Sequence, residues 1–109
     1  MTDISPIVTH CVKILQETEE YLEYAEARRR IDEQPKKRER LDEYRHELFA
    51  AQLKDNNTEE LFNLDERMHE KYADVFADSD MVRFFNAETS FCRLVQTLQT
   101  QILEGVDFN

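Results

Sequence analysis

A single glycine, Gly105, is present among the 109 residues of this chain, and this scarcity restricts the folds open to it. Turns that need a positive φ usually contain glycine, and a β-sheet protein of this length needs several such turns. The two prolines, Pro6 and Pro35, stand where helices could begin and not inside apolar runs. Good helix formers such as Glu, Lys, Arg, Leu, Ala and Gln are frequent between these residues. The sequence therefore predicts an all-α fold.

Four helices are predicted from the apolar spacing and from the helix-breaking residues. The predicted bounds are Ser5–Pro6 to about Ile31, Pro35 to Lys54, Thr58 to Ala77, and Asp78 or Ser79 to Gly105 as the C-cap. Residues 55–58 are predicted to form a turn, and Val106, Asp107 and Phe108 are predicted to fold back on the last helix as the apolar contact of its cap. We expect one domain over residues 1–109, with about four helices in an antiparallel hairpin or bundle that self-association completes.

The fourth predicted helix is the most apolar part of the chain, and the first helix carries an apolar stripe as well. A helix that is apolar on two adjacent faces packs on two neighbours at once. We therefore predict that one face closes the protomer while the other contacts a second copy. The predicted self-association residues are Leu15, Leu22, Phe84, Phe91, Val95, Leu98 and Ile102.

The formal net charge of −10 argues against non-specific binding to nucleic acids or anionic membranes. The central segment, residues 28–45, is the exception because basic residues outnumber acidic ones there. The candidate contacts for RNA phosphates or for an acidic protein partner are Arg28, Arg29, Arg30, Lys36, Lys37, Arg38 and Arg40. No aromatic residue lies within residues 28–40 to stack on bases. The favoured alternative is a solvated surface that pairs with nearby acids.

Two Glu-x-x-His spacings, Glu43 to His46 and Glu66 to His69, match the spacing that di-iron bundles use on two helices. Their positions lie away from the apolar faces, so we interpret them as solvated side chains and predict no metal site. Cys11 and Cys92 are predicted to be small buried hydrophobes. Two thiolates are too few for a four-cysteine iron–sulfur site, which a dimer or a partner protein would have to complete.

Catalytic signatures are missing from the sequence. It contains no glycine-rich loop, no serine in a glycine elbow and no His-Glu-x-x-His spacing. We expect a non-enzyme without cofactor or small-molecule substrate. No secretory signal is visible, and no apolar run approaches the roughly 18 residues of a membrane span, so a cytoplasmic protein with reduced thiols is expected.

Two helical patterns carry a resemblance to a known family. The last helix contains Val82-x-x-Phe85-x-Ala87-Glu88-x-x-Phe91-x-x-Leu94-Val95, and the second contains Leu41-x-x-Tyr44-Arg45 before a run to Gln52. From about Ile7 to Val106 the chain resembles the YlbF/YmcA/YheA family of small bacterial helical proteins. The resemblance implies a self-associating, non-catalytic protein with an accessory or regulatory role. Family members are linked to competence, sporulation and biofilm formation in Gram-positive bacteria.

Some members of that family act in a complex that assists an endoribonuclease in RNA maturation and can carry iron–sulfur clusters, so the resemblance implies such a complex as one role for this chain. The resemblance assigns no catalytic residue to this chain. We therefore expect a cytoplasmic adaptor that acts through protein–protein interaction. RNA binding through residues 28–45 is one alternative, and an iron–sulfur or metal-binding protein is another.

Overall fold

The computed structural model describes residues 1–54 and 58–107, and every regular element in these ranges is an α-helix. The helices are α1 (Ser5–Leu15), α2 (Glu19–Asp32), α3 (Pro35–Lys54), α4 (Thr58–Lys71), α5 (Ala73–Ala77) and α6 (Ser79–Gly105). The all-α prediction is confirmed, although the described residues form six helices where about four were predicted. Residues 55–57 of the predicted turn and Phe108 of the predicted fold-back lie outside the described residues. The fold-back prediction is wrong for Val106, which is 66% exposed.

The break between α1 and α2 comes from the side chain of Thr18. Its Oγ1 accepts a hydrogen bond from the backbone N–H of Tyr21 at 3.2 Å and donates one to the carbonyl oxygen of Leu15 at 2.7 Å. The hydroxyl thereby caps the start of α2 and satisfies a carbonyl at the end of α1. The prediction of one helix up to Ile31 is wrong, because the apolar spacing continues through a position where the helix stops.

A second unpredicted break lies at Tyr72, whose φ of −112° and ψ of 35° separate α4 from the short α5. The next break was predicted. Asp78 is extended, and its Oδ1 accepts hydrogen bonds from the backbone N–H groups of Asp80 at 2.9 Å and Met81 at 3.2 Å. Asp78 therefore caps the start of α6.

The last helix ends at Gly105 as predicted, but Gly105 does not adopt the positive φ of a left-handed C-cap. Among the described non-glycine residues, Asp107 has a positive φ, of 55°. Aspartate is one of the few residues that enter this region at modest cost, because its short polar side chain can hydrogen-bond locally. The C-cap prediction for Gly105 is therefore wrong in its conformation.

The helices form two compact units, and the first comprises Met1–Arg28 and Phe84–Asn109. Within it, α6 runs antiparallel to α2, and its aromatic rings pack against the tyrosines of α2. Phe91 lies 5.5 Å from the ring of Tyr21 and 5.9 Å from that of Tyr24, while Phe84 lies 5.7 Å from Tyr24. Offset and edge-to-face ring pairs of this kind add to the free energy of apolar burial. By contrast, α1 contains no buried residue.

The second unit comprises Arg29–Arg83, in which α3 runs antiparallel to α4 and α5. Tyr44 of α3 meets the rings of Tyr72 and Phe76 edge-on, each with a centroid distance of 5.3 Å. The buried apolar residues of this unit are Ile31, Leu41, Leu64, Met68, Tyr72, Val75 and Met81. The assignment of residues 1–109 to a single domain stays a prediction.

Candidate interaction surfaces

Asp80 is the acceptor around which part of the basic segment is organised. Lys37 Nζ lies 2.9 Å from Asp80 Oδ2 and 2.9 Å from Asp78 Oδ2, and Arg30 Nε lies 3.2 Å from Asp80 Oδ1. The side-chain amide of Gln34 donates to Asp80 Oδ2 at 3.0 Å. These donors, Gln34 first and then Lys37 and Arg30, hold the pKa of Asp80 well below its usual value. These contacts connect the end of α2 and the start of α3 to the start of α6.

Arg40 of α3 forms a second set of contacts, with the end of α4 and with α5. Its guanidinium donates to both carboxylate oxygens of Asp74, at 2.9 and 3.0 Å, and to the carbonyl oxygen of Lys71 at 3.1 Å. It also lies over the ring of Tyr72, 4.3 Å from the centroid. This bidentate, stacked geometry suits arginine and not lysine. The hydrogen bond from Arg40 is the main reason why the pKa of Asp74 is lowered.

Three other basic residues of the segment have partners close to them in sequence. Arg38 pairs with Asp32 at 3.3 Å and with Asp42 at 2.8 Å, and Arg29 pairs with Glu33. Arg28 lies over the ring of Tyr24 at 5.4 Å. Among the described residues, Lys36 is the one predicted contact with no such partner. The segment therefore offers little unpaired positive charge to a phosphate backbone, which favours the alternative of a paired surface over RNA binding.

The Glu-x-x-His side chains point to solvent or to partners other than a metal. Glu43 pairs with Arg40 at 3.1 Å, and His46 and Glu66 are exposed. His69 stacks on Phe76 with a centroid distance of 4.2 Å, and its Nδ1 lies 2.9 Å from the carbonyl oxygen of Asp65. Within residues 1–54 and 58–107, no group of three or more His, Cys, Asp or Glu could hold a metal ion.

The two cysteines are free thiols with different surroundings. Cys11 is half-buried on α1, whereas Cys92 is exposed on α6, so the prediction that both are buried is wrong for Cys92. Phe91 faces the tyrosines of α2, and the next residue lies about 100° further around the helix. Two thiols in these positions, without further ligand groups in the described part of the chain, do not fit a four-ligand iron–sulfur cluster within one protomer.

The predicted self-association residues divide into core and surface. Phe84 is 1% exposed and belongs to the protomer core. The half-buried members are Leu15, Phe91, Val95 and Leu98, and the exposed members are Leu22 and Ile102. Leu15 and Leu98 line a groove of about 270 Å³ between α1 and α6, together with Cys11, Ile14, Thr18, Leu94, Thr97 and Gln101.

Exposed apolar residues flank the groove in sequence, and all of them except Ile102 were missing from the predicted set. We call the groove and these residues of α1 and the second half of α6 the α1–α6 face. Its exposed members are Ile7, Val8, Val12, Ile14, Ile102 and Leu103. The sequence feature that could have identified these residues is the near absence of charged residues around them. Lys13 is the one Asp, Glu, Lys or Arg within Ser5–Leu15, and residues 94–103 contain none.

In the comparison with protein families, the family model described as control of competence regulator ComK, YlbF/YmcA matches residues 11–107. No curated protein and no solved structure matches the chain significantly. Separately, none of the helices in the described residues has the length and apolar composition that crossing a membrane requires.

Proposed function

Because the chain belongs to the YlbF/YmcA family of competence-control proteins, we propose that it is a non-catalytic regulatory adaptor that acts through protein–protein contacts in the cytoplasm. In this proposal it self-associates through the α1–α6 face and presents its charged surfaces to a protein partner. The processes it would serve are those the family resemblance implies: competence, sporulation, biofilm formation or RNA maturation.

The exposure of α1 is the observation that carries the proposal. This helix has no buried residue, yet it is rich in Ile and Val, and Ile7 is 64% exposed. Removing apolar surface from water contributes about 25 cal/mol per Å², so an apolar face of this kind favours association. A contiguous apolar surface on a monomer usually marks an interaction site.

Charge favours a second copy as the occupant of this face. Two chains of net charge −10 repel each other over most of their surfaces. The α1–α6 face is the region with the fewest charged residues, so it is where two copies meet at the lowest electrostatic cost. Its polar residues are mostly uncharged, such as Thr97 and Gln101.

A sedimentation experiment tests the self-association. We expect the wild type to be an oligomer and Val12→Ser/Ile102→Ser to shift to monomer, with unchanged circular dichroism because both residues are exposed in the protomer. Leu53→Ser is the matched control, since Leu53 is an exposed apolar residue in the other compact unit. A monomeric wild type, or a double variant that assembles normally, would contradict this part of the proposal.

Affinity capture from the native lysate, with and without ribonuclease, separates the adaptor from RNA binding. An adaptor retains a defined protein partner after ribonuclease treatment. Ion pairs support this expectation, because they occupy five of the seven basic residues that were predicted to contact RNA. Recovery of species that all depend on RNA would instead favour the RNA-binding alternative.

A further inference from the structure

A second exposed apolar surface lies at the end of the α3–α4 hairpin, inside the unit Arg29–Arg83. Phe49 of α3 and Phe62 of α4 are each 64% exposed, and Leu53 and Leu61 are exposed beside them in sequence. Phe49 and Leu53 are four residues apart and therefore lie on the same face of α3. We call these four residues the hairpin-end patch. Exposed phenylalanines are costly in water and are typical anchors of interaction sites.

Two cations of this hairpin lie on a different side from the patch. Lys54 and Arg67 line a groove of about 350 Å³ with Glu47, Ala50 and Ala51. The patch residues of α3 and α4 lie roughly a third of a turn around their helices from these groove residues. The hairpin-end patch is thus separated from the nearest groove-lining cations.

Acidic side chains border the patch on its α4 side, whereas Arg45 lies four residues before Phe49 on the same face of α3. Asp65 lies three residues after Phe62 on the same side of α4, and its side chain is 73% exposed. Glu59 precedes Phe62 by three residues and is also exposed. Positive charge on a partner would be complementary to this border, and negative charge would be repelled.

We propose that the hairpin-end patch docks an amphipathic helix of a partner protein whose apolar stripe is flanked by Lys and Arg. Apolar anchors at helical spacing insert beside Phe49 and Phe62, and the flanking cations face Glu59 and Asp65. A second copy of this chain is a poorer occupant, because its net charge of −10 opposes the acidic border. The inference rests on the proposed adaptor function and assigns the surface that binds its partner.

A designed peptide pair tests the proposal by fluorescence anisotropy. The probe is a labelled helical peptide with Leu at i, i+3, i+4 and i+7 spacing and with Lys and Arg flanks, and its twin carries Glu at the flanking positions. We expect the basic peptide to bind the wild type and the acidic twin to fail. Phe49→Ser/Phe62→Ser should weaken binding by about tenfold or more, which corresponds to about 1.4 kcal/mol.

Two further variants sharpen the result. Glu59→Lys/Asp65→Lys keeps the phenylalanines and should also weaken the basic peptide, whereas Val12→Ser/Ile102→Ser in the other unit should bind it as the wild type does. Equal binding by the wild type and the Phe49→Ser/Phe62→Ser variant, or no binding by the folded wild type, would overturn the proposal.

The oligomeric state of the same variants separates this inference from the proposed self-association. If Phe49→Ser/Phe62→Ser becomes monomeric, the patch is an interface between copies and the docking proposal fails. If it assembles normally and loses the peptide, both proposals stand. A wild type that is monomeric but binds the peptide through the patch contradicts the self-association and leaves the docking surface supported.

Discussion

The hydrogen bonds that Asp80 accepts from Gln34, Lys37 and Arg30 favour the ionised form of its carboxyl group. Because its pKa is lowered in the folded chain, the stabilisation is fully present above the pKa of about 3.9 that an unfolded aspartate has. It is lost as the pH falls from there through the folded-state pKa. We expect Asp80→Asn to lower the melting temperature at neutral pH, as measured by circular dichroism. Between neutral and acidic pH, the melting temperature of Asp80→Asn should then decrease less than that of the wild type.

Glu39→Gln is the matched control for Asp80→Asn. Glu39 is exposed on α3, and the substitution removes the same unit of charge. Exposed substitutions of this type usually change stability by within about 0.5 kcal/mol. If the melting temperatures of Asp80→Asn and the wild type decrease equally on acidification, the charge of Asp80 does not contribute to the stability of the folded chain.

Tyr72 is 3% exposed, and its hydroxyl donates a hydrogen bond to Glu47. This bond is the main reason why the pKa of Tyr72 is raised to about 12. A tyrosine whose folded pKa is raised contributes stability below the unfolded value of about 10, and this contribution is lost as the pH rises through the folded pKa. We expect Tyr72→Phe to destabilise the chain by about 1 kcal/mol at neutral pH.

The tyrosinate absorbance during an alkaline titration checks the assignment. The wild type should show a component near pH 12 that is missing from Tyr72→Phe. Glu47→Gln keeps the phenol but removes the charged acceptor, so it should move that component to lower pH. An unchanged titration in Glu47→Gln would mean that the carboxylate does not set the pKa of Tyr72.

Thr18 determines where α2 begins, since its Oγ1 accepts from the N–H of Tyr21 and donates to Leu15. Replacing an N-cap threonine by alanine typically costs about 1 kcal/mol. We expect Thr18→Ala to lower the free energy of unfolding by about this amount, as measured by urea denaturation. Thr18→Ser retains the hydroxyl and should stay near the wild type. If the two variants are equally destabilised, lost packing of the methyl group and not the cap explains the effect.

The sequence predicted those elements whose ends depend on local chemistry. Both ends of α3 were correct, because a proline fixes its start and disfavours helix at the preceding residue. The break at residues 16–18 was missed because Leu15, Thr18 and Leu22 continue the apolar spacing, so a cap was interpreted as part of the stripe. The break at Tyr72 carries no glycine or proline, and its ring is held by Tyr44 and Arg40 from α3.

The candidate surfaces were less predictable because they depend on residues distant in sequence. Lys37 and Arg40 were interpreted as exposed contacts for a partner. Their acidic partners in the structure lie 43 and 34 positions away in the sequence, at Asp80 and Asp74. Phe84 and Ile102 have the same apolar character in the sequence. Packing against Tyr24 buries Phe84, while no described packing buries Ile102.

At the scale of the whole molecule, the net charge of −10 gives the two proposed interactions opposite responses to salt. Self-association brings like charges together, so screening should strengthen it. Docking of the basic peptide brings opposite charges together, so screening should weaken it. From about 0.01 M to about 1 M ionic strength the Debye length falls from about 30 Å to about 3 Å, which covers both regimes.

We therefore expect the dissociation constant of the oligomer to fall, and that of the peptide complex to rise, over this range of ionic strength. Sedimentation equilibrium measures the first and fluorescence anisotropy the second, on the same preparation. Glu59→Lys/Asp65→Lys should flatten the salt dependence of the peptide complex. The salt dependence of the oligomer should keep its direction, because the substituted residues lie outside the α1–α6 face, but it should become shallower because the net negative charge of each copy is smaller. An oligomer that dissociates as salt increases would mean that ion pairs hold it together, and the apolar α1–α6 face would then be the wrong interface.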